Sequence, residues 1–165
     1  MDFKPENDGI DHINVFSKSR SKLGKMLSNF AHTPFTLEGV KFESVESWWY
    51  WMKMNNINKS VLFPTFSDEQ LDNIRSLIGK EAKIYFRELY KDDSSSFSPE
   101  PAQLKRAYLQ KIEEHPEVKK TLLENTLPID HYYMMFDKKV NADDYLWTAE
   151  LWNEVKEELI KKNTP

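Results

Sequence analysis

A carboxylate, an ammonium and several aromatic rings come together at helical spacing in Ser44-Val45-Glu46-Ser47-Trp48-Trp49-Tyr50-Trp51-Met52-Lys53. At about 100° per residue, Glu46, Trp49 or Tyr50, and Lys53 share one helical face, while Trp48, Trp51 and Met52 take the other sides. Glu46 and Lys53 then stand about 10 Å apart along the axis, two turns, with an aromatic ring between them. Such a line suits a flat, electron-poor ring and its sugar. The same spacing also describes a plain core helix whose Glu46 and Lys53 reach water along their stems.

Other chemistries are short of residues. A P-loop needs a glycine five residues before its Gly-Lys pair, but Ser19 stands there for Gly24-Lys25 and Ile74 for Gly79-Lys80. The absence of cysteine removes disulfides, thiolate metal sites and a cysteine nucleophile, so a reducing, cytoplasmic compartment is expected. His12, His32, His115 and His131 are too scattered for a helical metal pair and read as structural or solvated, so no metal is expected. With 23 Lys+Arg against 27 Asp+Glu the net charge is −4, which argues against a whole surface gripping nucleic acid. Only Lys18, Arg20, Lys22 and Lys25 form a local basic patch. No window approaches the roughly 18 apolar residues of a membrane span, and Met1–Gly9 is polar rather than signal-like, so no membrane partner is expected.

The elements that position these residues follow from patterning. Residues 1–9 and 163–165 read as flexible ends of a single domain over 10–162. Ile13 and Val15 alternate as a short strand between His12 and Phe16, and the basic, serine-containing stretch Ser17–Lys25 reads as a loop. Two short apolar runs around Gly39, from Pro34 to Phe42, predict a small hairpin. Ser44 is an N-cap for a helix to about Asn55. Ser67 caps another helix, with Leu71, Ile74, Leu77 and Ile78 at helical spacing, and Gly79 either breaks or bends it before helix resumes through Leu89.

Asp92–Pro101 is serine-rich and reads as a mobile loop. Helices are predicted from Leu104 to Glu114 and, opened by Pro116, through Leu123. Asp130–Phe136 reads as buried and extended, Lys138-Lys139 as a turn, and Asp143–Lys162 as an amphipathic helix with Trp147, Leu151, Val155 and Leu159 on one stripe. Trp147 and Trp152 read as core. The class is mainly α with a small β element near the N-terminus.

Taken in order, Phe16, Gly24, Leu27-Ser28-Asn29-Phe30, Pro34-Phe35, Gly39, and Ser44-Val45-Glu46 with Lys53 resemble the signature of the NADAR, or YbiA-like, family. Leu104-Lys105-Arg106-Ala107, Lys111-Ile112, His115-Pro116 and Leu122-Leu123 resemble that family's second block, and the likeness covers roughly residues 13 to 160. The third block departs. Asp130-His131-Tyr132-Tyr133 keeps the aspartate but has tyrosine where tryptophan is usual and Met134 where glycine would follow, and Asp144-Tyr145-Leu146-Trp147 replaces the final block.

The resemblance implies a single-domain, mainly helical YbiA-like fold and a hydrolase of N-glycosidic bonds that needs no cofactor. Its substrates would be small-molecule nucleotides such as ribosylated pyrimidine intermediates of riboflavin synthesis, or ADP-ribose attached to a base such as guanine in nucleic acid. Under it, Glu46 is the first choice for the carboxylate that stabilises an oxocarbenium-like state, with Asp130 as base or ribose-orienting partner. Lys53 would anchor an oxygen or hold Glu46 ionised, and Tyr50, Trp49 and Tyr133 would stack on the base. Ser17, Lys18 and Arg20 would meet phosphate, and Ser28, Asn29 and Phe30 would line the ligand, although Ser-Asn is equally good turn chemistry. The alternative is a non-catalytic module that holds NAD or ADP-ribose.

Overall fold

The computed structural model describes residues 2–91 and 97–163. Residues 92–96, half of the serine-rich stretch expected to be a mobile loop, lie outside them, as does the very C-terminus. The chain divides into two compact units, one made of Met1–Ser28 with Ile112–Pro165 and the other of Asn29–Lys111, called here the terminal and the middle unit. The domain expected over 10–162 is described below as these two.

The middle unit opens with a hairpin. Strands β2 (Phe35–Leu37) and β3 (Val40–Phe42) pair antiparallel, with Phe35 opposite Phe42, across Glu38 and Gly39 at φ 49° and 81°. Helix α2 (Val45–Lys59) follows, a turn longer than the pattern predicts, because nothing between Asn55 and Ser60 breaks a helix. Its cap is reciprocal: Ser47 N donates to Ser44 Oγ at 3.2 Å and Ser44 N donates to Ser47 Oγ at 3.1 Å. Ser44 Oγ also accepts from Gly79 N at 2.9 Å, so one hydroxyl ties the start of α2 to the start of a later helix.

That later helix is α4 (Lys80–Leu89), which follows α3 (Asp68–Arg75). Gly79 breaks rather than bends the helical run. Its φ is +47°, and a Cβ there would lie 2.5 Å from the Phe30 carbonyl oxygen, so no side chain fits. Helix α2 packs on both α3 and α4 over a core of Met54, Ile57, Phe66, Ile74, Ala82 and Phe86. Helix α5 (Pro101–Glu114) starts three residues before the expected Leu104, since Pro101 is accommodated in a first turn that has no use for its missing N–H.

In the terminal unit, β1 (Ile13–Asn14) pairs in parallel with β4 (Ile129–Asp130). The basic stretch expected as loop contains α1 (Lys22–Leu27), started by Ser21 Oγ, which accepts from Gly24 N at 2.9 Å. A short polar sequence hides this helix because its buried face is only Leu23, Gly24 and Leu27, and a Cβ on Gly24 would come within 2.1 Å of the Asn14 carbonyl oxygen. Strands β5 (Tyr132–Met135) and β6 (Lys138–Asn141) form a second hairpin. Its turn is Phe136-Asp137, not Lys138-Lys139, and the segment expected to be buried through Phe136 is buried only at its start. Helix α6 (Pro116–Glu124) contacts α1 and α7 (Leu146–Asn163), and α7 also packs on β4, burying Leu151, Trp152, Val155 and Leu159. Trp147 is half-buried.

Within the segment expected to be a flexible end, residues 5–8 carry local structure. Pro5–Asn7 form a 3-10 turn, and the buried carboxylate of Asp8 accepts from Ser19 Oγ at 2.7 Å, Arg20 N at 2.8 Å and Asn14 N at 3.0 Å. Among the described residues helix outweighs strand, 54% against 13%, a mixed α/β content with a helical majority, its strands lying in the C-terminal part as well as near the N-terminus. Among the described residues no helix is long and apolar enough to cross a membrane.

Candidate functional site

In the middle unit the features converge on Glu46, in the first turn of α2. Its backbone N–H, left without a helical partner at this position, donates to the Asn29 carbonyl at 2.9 Å. Asn29 Oδ1 in turn accepts from Tyr108 Oη at 3.2 Å. The Asn29-Phe30 segment is thereby held against the helix start from one side, and Gly79 packs against Phe30 from the other. The half-buried Glu46 carboxyl is pushed up to about 7, because burial disfavours its charged form; the charges of Lys83 and Arg87 on α4 oppose the rise. The N-terminal end of α2 also favours the ionised form. Desolvation outweighs these opposing effects, and the group exchanges its proton near neutrality.

Lys83 and Arg87 are one helical turn apart, and the Lys83 ammonium lies 6.0 Å from the centre of the Phe30 ring. Neither was singled out in the sequence. The available signal was their spacing of four on the helix that Gly79 starts, which is unremarkable until Gly79 is known to touch Phe30.

Lys53 was expected beside Glu46. It is buried, with its ammonium 5.0 Å from the centroid of Phe86, and Tyr50 stacks on that same ring at 4.9 Å and 28°. Tyr50 packs against the core beneath α2, and the cations whose charge reaches Glu46 include Lys83 and Arg87 of α4. Trp48 is buried and Trp51 packs edge-on to Phe42 at 5.3 Å, while Trp49 is half-buried.

The other sequence-selected residues lie in the terminal unit. Asp130 Oδ1 accepts from the His131 backbone N–H at 2.8 Å, and the Asp130 carbonyl accepts from Val15 N at 2.9 Å. His131 Nδ1 donates to the Val15 carbonyl at 2.6 Å, and burial pushes the imidazole below its ordinary value, opposed by that bond and by the Asp130 charge. Tyr133 meets His131 and Phe16 edge-on, at 5.1 and 6.0 Å between centroids. Ser28 is buried at the end of α1 and Ser17 is half-buried, whereas Lys18 and Arg20 are exposed, the Arg20 guanidinium reaching the Glu6 carbonyl at 3.4 Å.

A chain of hydrogen bonds in the same unit escaped the sequence reading. His12 is fully buried, with Nδ1 2.6 Å from Asp11 Oδ1 and Nε2 2.6 Å from Tyr132 Oη, and Phe3 stacks on its ring at 4.6 Å. The His12 bond holds Asp11 below the usual carboxylate range, and burial pushes the Tyr132 phenol up. Closed in this way, the three side chains fasten the N-terminal segment. Among the described residues no group of three or more His, Asp or Glu side chains is placed to hold a metal ion.

Comparison of the chain with models of known families, with curated proteins and with solved structures found no match.

Proposed function

We propose that the protein is a YbiA-like (NADAR-type) hydrolase that cleaves the N-glycosidic bond of an ADP-ribosylated base of the guanine type or of a ribosylated pyrimidine such as a riboflavin intermediate. The observation that carries the reading is the Glu46 carboxyl, half-buried in the first turn of α2, within reach of the charges of Lys83 and Arg87, and poised near 7. Cleavage breaks the bond between C1′ and the base nitrogen, puts a water oxygen on C1′ and a proton on the base. Ionised, Glu46 stabilises the positive charge that develops on the sugar; protonated, it is a proton donor for the departing base. A carboxyl near 7 serves either role at neutral pH, which one far below 7 does not. Phe30 offers a ring face to the base, and Lys83 and Arg87 offer cations to phosphate or ribose oxygens. No cofactor is required by these steps.

A second reading, a module that holds NAD or ADP-ribose without turnover, is favoured by the third block. There Asp130 is bonded to its neighbour's backbone and Tyr133 packs on Phe16 and His131, so neither is simply presented to a ligand.

The test is release of ADP-ribose from ADP-ribosylated guanine in an oligonucleotide, and of the base from NAD and from a ribosylated pyrimidine. Glu46→Gln is expected to lower release from the true substrate by about 10²–10⁴-fold, and Asp130→Asn by far less. If wild type and Glu46→Gln are equal on all three while ADP-ribose still binds, the module reading replaces the enzyme.

A further inference from the structure

The hairpin of β5 and β6 turns through Phe136 and Asp137, at φ 51° and 62°. Two-residue turns with both central residues at positive φ are normally made by Asn-Gly or Asp-Gly, and a bulky side chain is an outlier there. Phe136 gains nothing in return from packing: it is 95% exposed, and Met135 before it is 56% exposed. An aromatic ring that suits neither the turn nor the core is explained by something it meets outside the chain. Val61-Leu62-Phe63, likewise exposed, shows no such backbone strain.

The neighbouring charges say what that something is. Lys138 is exposed directly after the turn, and strand β5 carries Tyr133, whose ring meets Phe16 at the start of the segment bearing the exposed Lys18, Arg20, Lys22 and Lys25. Within this one unit the aromatic tip and Lys138 close the hairpin whose strand β5, through Tyr133, meets the start of the segment that carries the cations of residues 18–25. Stacking platforms combined with cations recognise single-stranded nucleic acid. Asp137 at the tip separates this from a lipid surface, where its carboxylate would enter anionic headgroups, whereas exposed base amino groups donate to a carboxylate.

We infer that Phe136 stacks on an unpaired base of a single strand whose phosphates meet Lys138 and the Lys18–Lys25 segment. It rests on the glycosidase reading in one respect only: if both hold, the modified base is presented on a strand rather than as a free nucleotide.

The test is fluorescence anisotropy of the full chain with a labelled, unmodified single-stranded DNA of about 12 nucleotides. Wild type is expected to bind, less tightly as salt rises from about 50 to 200 mM. Phe136→Asn, which suits positive φ, is expected to keep or raise the thermal midpoint while weakening binding about tenfold. Phe136→Leu, apolar but without a ring, should lose as much, and Phe136→Trp should bind as wild type does. Glu46→Gln should bind normally, so loss of turnover and loss of strand binding are separable. The inference is overturned if wild type does not bind, if Phe136→Asn and Phe136→Leu bind unchanged, or if Phe136→Leu keeps full affinity for phosphatidylserine vesicles while no variant binds DNA.

Discussion

Two carboxylates, Glu46 in the middle unit and Asp130 in the terminal unit, were candidates for the same chemistry, and their surroundings separate them. Glu46 lies in the first turn of a helix whose start is braced by Asn29 and Gly79; burial raises its carboxyl to about 7 against two opposing cations. Asp130 lies in a two-residue parallel strand, with one carboxylate oxygen accepting from the next backbone N–H. The first carboxyl is kept by its surroundings in a state that changes with small perturbations, and the second closes a turn. A carboxylate that completes the backbone's own hydrogen bonding is well placed to hold the chain, while one that burial destabilises is well placed to react.

The sharpest way to break this comparison uses two glycines that both lie against backbone oxygens. Gly24→Ala puts a Cβ 2.1 Å from the Asn14 oxygen, and Gly79→Ala puts one 2.5 Å from the Phe30 oxygen at a φ of +47°. Each is expected to cost about 3 kcal/mol or more in chemical denaturation. Their effects on activity should differ. At temperatures where both variants remain folded, Gly79→Ala shifts the pH–rate profile, because Phe30 and the start of α4 must move around Glu46. Gly24→Ala leaves the profile where it was. Identical profiles for both would show that Glu46 does not depend on this brace.

A smaller effect tests the raised carboxyl itself. Because its folded value of about 7 lies above the ordinary 4.5, the folded state binds the proton more tightly than the unfolded state. Glu46 therefore costs no stability below about 4.5, and its cost grows as pH rises through about 7. Glu46→Gln, neutral at every pH, is expected to be more stable than wild type by about 1–3 kcal/mol at pH 8, with the gain vanishing near pH 4. Urea melts across that range measure it. A gain independent of pH would remove desolvation as the cause. Asp130→Asn is expected to change stability little, since its amide oxygen still accepts from the His131 backbone N–H.

How much of this was legible in the sequence follows the range of the forces involved. Caps and hairpins are local, so Ser44, Ser67 and the Phe35–Phe42 hairpin were readable from a few residues each. Glu46 was readable too, as a carboxylate in the first turn of an aromatic-rich helix. The cations of α4 were not, because Lys83 and Arg87 approach it only through the fold, whereas helical spacing pointed to Lys53, which is buried with its ammonium over the Phe86 ring. Helix α1 and the bound N-terminal segment were missed for one reason: their polar side chains are used against the chain itself, as when Asp8 gathers Ser19, Arg20 and Asn14. Lys111, fully buried and pushed down to about 7 by desolvation, shares α5 with Lys105 and Arg106, and nothing in the pattern says which cation is inside.

The finest distinction concerns the cations on α4. The charges of Lys83 and Arg87 hold Glu46 lower than burial alone would. Lys83→Met removes one of them while keeping the length and apolar stem of the side chain, so it is expected to raise the acidic limb of the pH–rate profile and leave stability within about 0.5 kcal/mol of wild type. Arg87→Met should move the limb in the same direction, and the double variant further still. If Lys83 also holds an anionic group of the substrate, KM rises with the first substitution while Arg20→Ala in the terminal unit does not reproduce the pH shift. An unmoved limb in both single variants would mean that the opposing charge is screened by water, leaving burial and the α2 terminus as the forces that set the Glu46 proton.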